Sequence, residues 1–583
     1  MGMDKDEVAA VLLEIGTLLE LKGENPFKTR AYHNGARILE GLTEPLEKIV
    51  AENRLGELKG FGEALQDKVT RLVTTGALPY FDELKASLPP GLPALLEIQG
   101  LGPKKVKRLY EELGIDSMEK LEAACQTHQI AGLEGFGEKS QAKILEAIAF
   151  KRQFASRHRL IDALVCADPI LESLRGHPDV TRCSTAGSLR RWKEVIGDID
   201  FLVSSKNPAS VIGFFVGQPG VQAVLAQGET KASVILEGGI QADLRVVTDE
   251  EFPFALAYFT GSKEHNIVMR QRAIARGLRL NEYGLFKADA NGVVAEGAMP
   301  IAAATEEAVY AALGLDWIPP TMREDRGESA AFAKGAKHPE LITVADIKAE
   351  LHSHTTASDG SMSIDELIDR ARARGFHTLA ITDHSKSQFQ ANGLDEARLR
   401  EHIKAIHAAR ARHPDMQVWA GSEVDILGDG SLDYSDDLLA ELDWVVASPH
   451  AALKQEPKVA TERLLKAIAH PLVHVIGHPT GRIVNGRPGL EPAMNEIYAA
   501  ARQHGTALEI NSHNMRLDLR DSHVRAAVDA GCMLAIDCDV HGPDDFDEIR
   551  YGVLTAQRGW LPRASCINCM DAAALEGWRK RKR

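Results

Sequence analysis

The segment Gly187-Ser-Leu-Arg-Arg-Trp-Lys-Glu-Val-Ile-Gly-Asp-Ile-Asp200 collects the residue types that phosphoryl transfer needs. Asp198 and Asp200 are one apolar residue apart and run on into Phe201-Leu-Val203. That alternation predicts a strand with both carboxylates on one face. Adjacent carboxylates repel unless cations sit between them, and hard oxygen ligands favour Mg²⁺ or Mn²⁺. Upstream, Gly187 and Ser188 can bring backbone amides and a hydroxyl close to a phosphate, and Arg190 and Arg191 can neutralise it. Ile240-Gln-Ala-Asp-Leu-Arg-Val-Val247 reads as a second strand, with Asp243 as the natural third carboxylate. Together these residues describe a centre that moves a nucleotide between phosphates with two metals.

A second series lies in the C-terminal half. His352-Ser-His354, Ser358-Asp-Gly360, Ile381-Thr-Asp-His384, Gly421-Ser-Glu423, Ala447-Ser-Pro-His450, Ile476-Gly-His478 and Asp537-Cys-Asp-Val-His541 follow one another. Most close an apolar, strand-like run, and several precede an amphipathic helical run such as Glu366 to Arg374. Repeated strand–helix units with polar residues at the strand ends predict a (β/α) barrel with its active site on the rim.

Residues 1 to about 150 have helical periodicity broken by three similar glycine turns: Leu58-Lys-Gly-Phe-Gly62, Ile98-Gln-Gly-Leu-Gly102 and Leu133-Glu-Gly-Phe-Gly137. Each leads into a helix-forming run, the helix-hairpin-helix pattern. Such turns aim backbone N–H groups at a DNA phosphate without reading bases, so Gly60, Gly62, Gly100, Gly102, Gly135 and Gly137 are candidate DNA contacts. Between about 316 and 345 the composition turns irregular and charged, which predicts a linker. At 583 residues the chain has room for three or more domains. No run approaches the roughly 18 apolar residues of a membrane span, and the acidic start is unlike a signal peptide. Seven cysteines, an odd number, predict free thiols in a reducing cytosol. Cys566-Ile-Asn-Cys569 lacks a second pair and is read as structural. The net charge of −15 argues against a protein that coats nucleic acid. Residues 151–300, with 18 basic and 17 acidic side chains, and the basic tail Trp578–Arg583 leave local phosphate contacts open.

On these motifs the first 315 residues resemble the family X DNA polymerases, the class that includes DNA polymerase beta. The resemblance implies a multidomain chain: a helical lyase-like domain over 1–85 and helical fingers over 86–154 with the second and third hairpin turns. An α+β nucleotidyltransferase palm (155–250) and a thumb (251–315) would follow. It implies that Asp198, Asp200 and Asp243 are catalytic and hold two Mg²⁺ or Mn²⁺ ions. Gly187, Ser188 and Arg191 would bind the incoming triphosphate, with Tyr258, Phe259 and Gly261 on its sugar side and Asn266 and Arg270 at the nascent pair. Lys263 departs from the polymerase-beta-like motif, which has an acid there. Lys68 stands where family X lyase domains place a Schiff-base lysine. Lys28 and Tyr32 match the 5′-phosphate pocket, whereas Phe27, Gly56 and Ala64 replace its other basic members.

After the linker, residues 346–583 resemble the PHP (polymerase and histidinol phosphatase) domain, a distorted (β/α)7 barrel with a three-metal phosphoesterase centre. The resemblance implies nine metal ligands, His352, His354, Asp359, His384, Glu423, His450, His478, Asp539 and His541, holding Zn²⁺ or Mn²⁺, with Arg482 as a phosphate contact. Glu350, Pro449, Cys538 and Val540 are the neighbours that depart from the family pattern. The expectation is a monomeric bacterial cytosolic enzyme of DNA repair, including base excision repair. Its polymerase half would fill gaps in primed or gapped duplex DNA from dNTPs. Its PHP half would act as a metal-dependent 3′-5′ exonuclease, with 3′-end processing or abasic-site cleavage as further activities. The rival readings are a small-molecule phosphatase of histidinol-phosphate type and a non-catalytic DNA-end scaffold.

Overall fold

Helix-period runs of leucine, isoleucine and valine build the first quarter of the chain. In the computed structural model, which describes all residues except 1–2, 4, 41–45, 59–60, 90, 99–100, 134, 155–156, 290–292 and 582–583, the chain forms two compact units, Met1–Ala155 and Ser156–Arg583. The first is helical. Its helix Lys5–Lys22 buries Val8, Leu12, Ile15 and Leu19, a stripe at three- and four-residue spacing. That stripe faces the helices Pro26–Glu40, Glu63–Thr75 and Pro103–Leu113 in one apolar core.

The second unit opens with a five-stranded sheet. Its strands are β1 (Arg182–Thr185), β2 (Asp198–Ser204), β3 (Val221–Gln227), β4 (Lys231–Leu236) and β5 (Gln241–Val247). Their order is β1-β2-β5-β4-β3, with β2 and β5 parallel and the remaining pairs antiparallel. Alternation decides the faces. Ile199, Phe201, Val203, Ala242, Leu244 and Val246 turn to a core shared with the helices Leu160–Arg175 and Pro208–Val216. Leu202 on the other face meets the helix Phe252–Thr260.

The helices Lys263–Ile274 and Glu306–Ala312 then surround a separate core with Phe254, Leu285 and Tyr310. This core also takes in Leu315, Ile318, Met322 and Phe332. The segment expected as a free linker is therefore anchored at its start. Arg323, fully buried, donates to Glu306 at 2.7 Å and to the Ile318 carbonyl at 2.9 Å. Composition registered the charge of this segment but not its pairing.

Seven parallel strands follow in sequential order: β6 (Ala349–Glu350), β7 (Thr378–Ile381), β8 (Gln417–Asp425), β9 (Trp444–Ser448), β10 (Val475–Ile476), β11 (Ala507–Asn511) and β12 (Leu534–Asp537). A parallel bridge between Ser353 and Val540 brings the first and last strands together just past their C-termini. The result is a nearly closed (β/α)7 barrel. Val445 and Ala447 pack outward under the helices, while Trp444, Val446, Val475 and Ala535 form a second cluster with Trp419 and Ala380. Leu575 and Trp578 of the C-terminal helix Ala572–Arg581 join that second cluster. Part of the basic tail is thereby structural. Arg579 is buried and pairs with Glu576 and Asp443, while Lys582 and Arg583 lie outside the described residues. Cys566 and Cys569 are buried free thiols beside Asn568, whose side chain donates to Asp537 and the Ala349 carbonyl.

Candidate functional site

The first centre is set by strand register. Asp198 and Asp200 sit two apart on β2, and the parallel strand β5 places Asp243 directly beside Asp200. Burial, then repulsion from Asp198 and Asp243, pushes the Asp200 carboxyl up to about 7. Asp198 is raised by burial and by Asp243. Asp243 goes the other way: hydrogen bonds from Ser233, Gln241 and Lys231 outweigh its burial. Gln241 donates to it at 3.1 Å, and the Lys231 ammonium lies 3.1 Å away. Two carboxylates that resist ionisation, beside a third whose ionised form is favoured, are a donor set suited to divalent cations.

Gly187 follows β1 at φ +57°, and a Cβ there would come to 2.1 Å from an Asp200 oxygen. Only glycine lets the turn approach the carboxylate so closely. The Ser188 hydroxyl is buried with no hydrogen-bond partner among the described residues, as a group awaiting an anion would be. Arg190 departs from its expected role. Both its terminal nitrogens are held by Glu306, at 2.9 and 3.0 Å, and one also donates to the Thr260 hydroxyl, so it braces the palm against the thumb core. Arg191 donates through Nε to Glu324 at 3.0 Å and through Nη1 to the Thr260 carbonyl at 2.6 Å.

Tyr258, Asn266 and Arg270 line one small cavity with Phe254 and Met269, and Asn266 donates to the Tyr258 carbonyl at 2.7 Å. Phe259, its ring edge-on to Tyr258 with centroids 5.2 Å apart, lines a second cavity with Asp200, Asp243, Lys231 and Arg245 and lies 4.5 Å from the Arg245 guanidinium carbon. Gly261 (φ +68°) ends the helix beside Arg191, and a Cβ there would lie 3.2 Å from Nη1. Lys263 is exposed in the next helix. Sequence reasoning missed Lys231, Ser233 and Arg245, although all three alternate onto the face of Asp243 or its cavity.

In the helical unit the three glycine turns repeat one geometry. The middle residues Phe61, Leu101 and Phe136 are buried, and each amide donates to the carbonyl three residues back at 3.0 Å. Gly62 and Gly102 then cap the helices Glu63–Thr75 and Pro103–Leu113, and Gly137 precedes Glu138–Phe154. A Cβ at Gly62, Gly102 or Gly137 would meet nothing, so packing does not demand glycine there. Open space before a helix N-terminus suits a close phosphate. Gly135 adopts φ +84°, while Gly60 and Gly100 lie outside the described residues. The Lys68 ammonium lies 5.0 Å and the Lys28 ammonium 6.0 Å from the Tyr80 ring, with Tyr32 buried nearby.

The second centre occupies the C-terminal rim of the barrel, and the structure brings all nine expected ligands together. Glu423 is its hub, 2.7 Å from His384, 2.9 Å from His478, 3.2 Å from His450 and 3.3 Å from His352. Asp539 lies 3.1 Å from His354, and Asp359 lies 3.4 Å from His541 and 3.5 Å from His384. Donor atoms of eight of the nine form three overlapping groups: His354, Asp359, His384 and His541; His352, His354, Glu423 and Asp539; and His384, Glu423 and His450; His478 joins through Glu423. Buried His352 Nε2, His354 Nδ1, His384 Nδ1, His478 Nδ1 and Glu423 Oε2 make no well-directed hydrogen bond among the described residues, although His384 Nδ1 and Glu423 Oε2 approach to 2.7 Å. Burial, with the imidazoles of His541 and His384, presses His354 down to about 4, which keeps its ring neutral and able to donate a lone pair. A mixed imidazole–carboxylate set of this kind fits Zn²⁺ or Mn²⁺. Asp359, exposed, marks the open side.

Outer carboxylates orient these ligands. Glu509 accepts from His352 Nδ1 at 2.7 Å and from the His478 amide, Asp425 accepts from His450 Nδ1, and Asn511 donates to Asp539 at 3.0 Å. Asp383 accepts from Thr355, Ser358 and His402. Sequence reasoning missed Glu509 and Asp425, yet each is an acid inside an apolar strand, the signal that picked out Asp243. Among the departures, Glu350 is buried and accepts from the amides of His352 and Cys538, while Cys538 and Val540 pack in the core.

Arg482 is the correction at this centre. It is buried, with both terminal nitrogens on Glu194 of the palm at 3.0 and 2.6 Å and a further bond to the Leu517 carbonyl. Both its terminal nitrogens are taken up by this junction, while its buried Nε has no hydrogen-bond partner among the described residues. A cation that reaches the cluster is Arg516, whose Nε lies 3.9 Å from Asp539. The junction continues with Leu517 and Tyr551 packed into the palm core and Tyr551 stacked on Trp192.

Four family models match: the helix-hairpin-helix domain over residues 3–78, the SAM-like helix-hairpin-helix tandem over 92–149, the DNA polymerase beta thumb over 255–324 and the PHP domain over 350–513. The "DNA polymerase/3′-5′ exonuclease PolX" of Bacillus subtilis is 37% identical over 99% of this chain and 100% of its own. DNA polymerase lambda of Rattus norvegicus is 26% identical over 46% of this chain and 48% of its own. A "Probable phosphatase" of Shewanella sediminis is 26% identical over 40% of this chain and 94% of its own. Among the described residues no helix is long and apolar enough to cross a membrane. Similarity over nearly the whole of both chains, with family models for the hairpin, thumb and PHP regions, shows that the chain belongs to the family X DNA polymerases that carry a C-terminal PHP domain.

Proposed function

We propose that this protein is a DNA-directed DNA polymerase that fills short gaps during repair, including base excision repair, and that its barrel is a 3′-5′ exonuclease that trims or cleans the primer end. The observation that carries this reading is the presence of both acid-rich centres, each with buried unsatisfied donors or mutually repelling carboxylates, in one compact unit. Asp198, Asp200 and Asp243 would hold two Mg²⁺ or Mn²⁺ ions, and the nine barrel ligands three Zn²⁺ or Mn²⁺ ions. When bound, the ions would lower the pKa of the attacking hydroxyl or water and offset charge on the phosphate.

The chain's own groups do the rest. The amides of the Gly187 turn, the Ser188 hydroxyl and Arg191 grip the triphosphate, so the primer 3′-hydroxyl meets the α-phosphate and pyrophosphate leaves. Tyr258, Asn266 and Arg270 shape the base and sugar side, with Phe259 closing the wall near Asp243. The glycine turns hold the DNA backbone without reading sequence. In the barrel, Arg516 rather than Arg482 meets the scissile phosphate, and the open side at Asp359 admits the 3′ end. The same centre would act on blocked 3′ ends or abasic sites, and the enzyme would work as a cytoplasmic monomer.

The test is a time course on a labelled one-nucleotide-gapped duplex, with and without dNTPs, in Mg²⁺ and then Mn²⁺. Extension by one nucleotide with dNTPs and 3′ shortening without them is expected. Release of phosphate from histidinol phosphate with no DNA shortening would instead make the barrel a small-molecule phosphatase. Binding of the gapped duplex with neither reaction would reduce the protein to an end-binding scaffold.

A further inference from the structure

We propose that Arg558, at the end of the barrel helix Ile549–Arg558, positions Arg191 for the incoming triphosphate, so that the barrel sets the nucleotide affinity of the palm. This rests on the reading of Arg191 as a triphosphate ligand. A guanidinium carries five N–H donors. Arg191 spends one on Glu324 and one on the Thr260 carbonyl, which fixes its plane while its Nη2 edge takes part in neither bond.

The anchor is itself held by the barrel. Arg558 Nη1 donates to the same Glu324 oxygen at 3.0 Å and to the Arg191 carbonyl at 2.7 Å. Arg558 Nη2 donates to Asp521 at 2.9 Å, and Asp521 lies 3.2 Å from Arg326. The Arg558 side chain is 5% exposed, Arg191 11% and Glu324 14%. Held in this way, the pairs are poorly screened, and their geometry is kept by more than one bond per group.

The guanidiniums of Arg191, Arg326 and Arg558 thus share two carboxylates, Glu324 and Asp521. Neither Glu324 nor Arg558 reaches a reacting atom, so both are positioning residues. Without Arg558, Glu324 has one guanidinium instead of two and the Arg191 backbone loses an anchor, which frees the Arg191 side chain to leave its orientation.

The test measures gap filling and 3′ shortening on the same preparations of the full chain. Arg558→Ala is expected to raise the KM for dNTP about three- to ten-fold, with kcat changed less and 3′ shortening unchanged. Arg558→Lys should recover part of the loss, because an ammonium reaches Glu324 but lacks the fork that also holds the carbonyl and Asp521. Arg191→Ala with Arg558→Ala should be no worse than Arg191→Ala alone. Additive effects in the double variant, an unchanged KM in Arg558→Ala, or parallel loss of both activities with the melting temperature would overturn the proposal. Should Arg558→Ala not fold, Arg558→Lys carries the same comparison, and a wild-type KM there overturns it. Arg191→Ala with a normal dNTP KM would sink the triphosphate reading itself, and the proposal with it. A raised KM there beside a normal one in Arg558→Ala would sink only the positioning.

Discussion

Replacing Gly187 by alanine tests the palm at its tightest point. The added Cβ would lie 2.1 Å from Asp200 Oδ2, closer than any non-bonded pair tolerates, and the backbone at φ +57° disfavours a side chain. The conformational strain costs about 1–2 kcal/mol, too little to unfold a unit of this size. The larger effect falls on chemistry. Either Asp200 shifts off the face it shares with Asp198 and Asp243, or the turn moves away from the phosphate. A displacement of about 1 Å at a reacting site costs on the order of 100-fold in rate. Single-nucleotide incorporation by Gly187→Ala should therefore fall by about two orders of magnitude in kcat/KM. The melting curve should move little, and 3′ shortening by the barrel should stay at the wild-type level. Gly102→Ala is the control, because φ is −93° and a Cβ meets nothing. It should fold normally and weaken DNA binding without touching the KM for dNTP. Wild-type incorporation by Gly187→Ala would refute the close approach on which the palm reading depends.

Three further outcomes follow from the same geometry. Glu509→Gln should lower metal affinity of the barrel about 10- to 100-fold and slow 3′ shortening, with polymerisation intact, as read by metal titration of both activities. Arg482→Ala should destabilise by about 2–3 kcal/mol in denaturant titration, below the fully buried limit because Glu194 keeps partial exposure, while Arg516→Ala should spare stability and slow 3′ shortening. Glu306 is held well below the usual carboxylate range: burial opposes this, but Arg323 and Arg190 outweigh it. Its folded value lies below the unfolded one, so the stabilisation is complete above about pH 4.3 and drains away as pH falls. As pH falls from about 5 to about 3, wild type should lose more stability than Glu306→Gln, and equal losses would contradict the buried pairing.

Both centres were legible because each is written into short strands. An i, i+2 acid pair and seven strand-end motifs need no long-range information to declare a face or a rim, and the register of β2 with β5 then follows from burial of the alternate residues. What was hidden depends on partners far away in sequence. Arg482 follows a ligand-bearing strand, as a phosphate contact should, yet Glu194, nearly three hundred residues earlier, claims it. Arg190 and Arg191 are adjacent and look equivalent, but Glu306 holds both terminal nitrogens of Arg190, whereas Arg191 bonds Glu324 and the Thr260 carbonyl through Nε and Nη1. The charged stretch after Trp317 reads as a linker until Arg323 finds Glu306. Glu509 and Asp425 were within reach of the rule that found Asp243, since an acid buried in an apolar strand needs a partner of opposite charge or a donor.

The central claim is that one chain carries two independent phosphoryl-transfer centres, one that builds a DNA strand and one that removes it. The most direct measurement is gap filling and 3′ shortening on one labelled gapped duplex by two variants, Asp198→Ala with Asp200→Ala and His352→Ala with His354→Ala. The first should abolish filling and keep metal-dependent shortening, and the second should do the reverse. Loss of both activities in either variant, or of neither, would contradict the account.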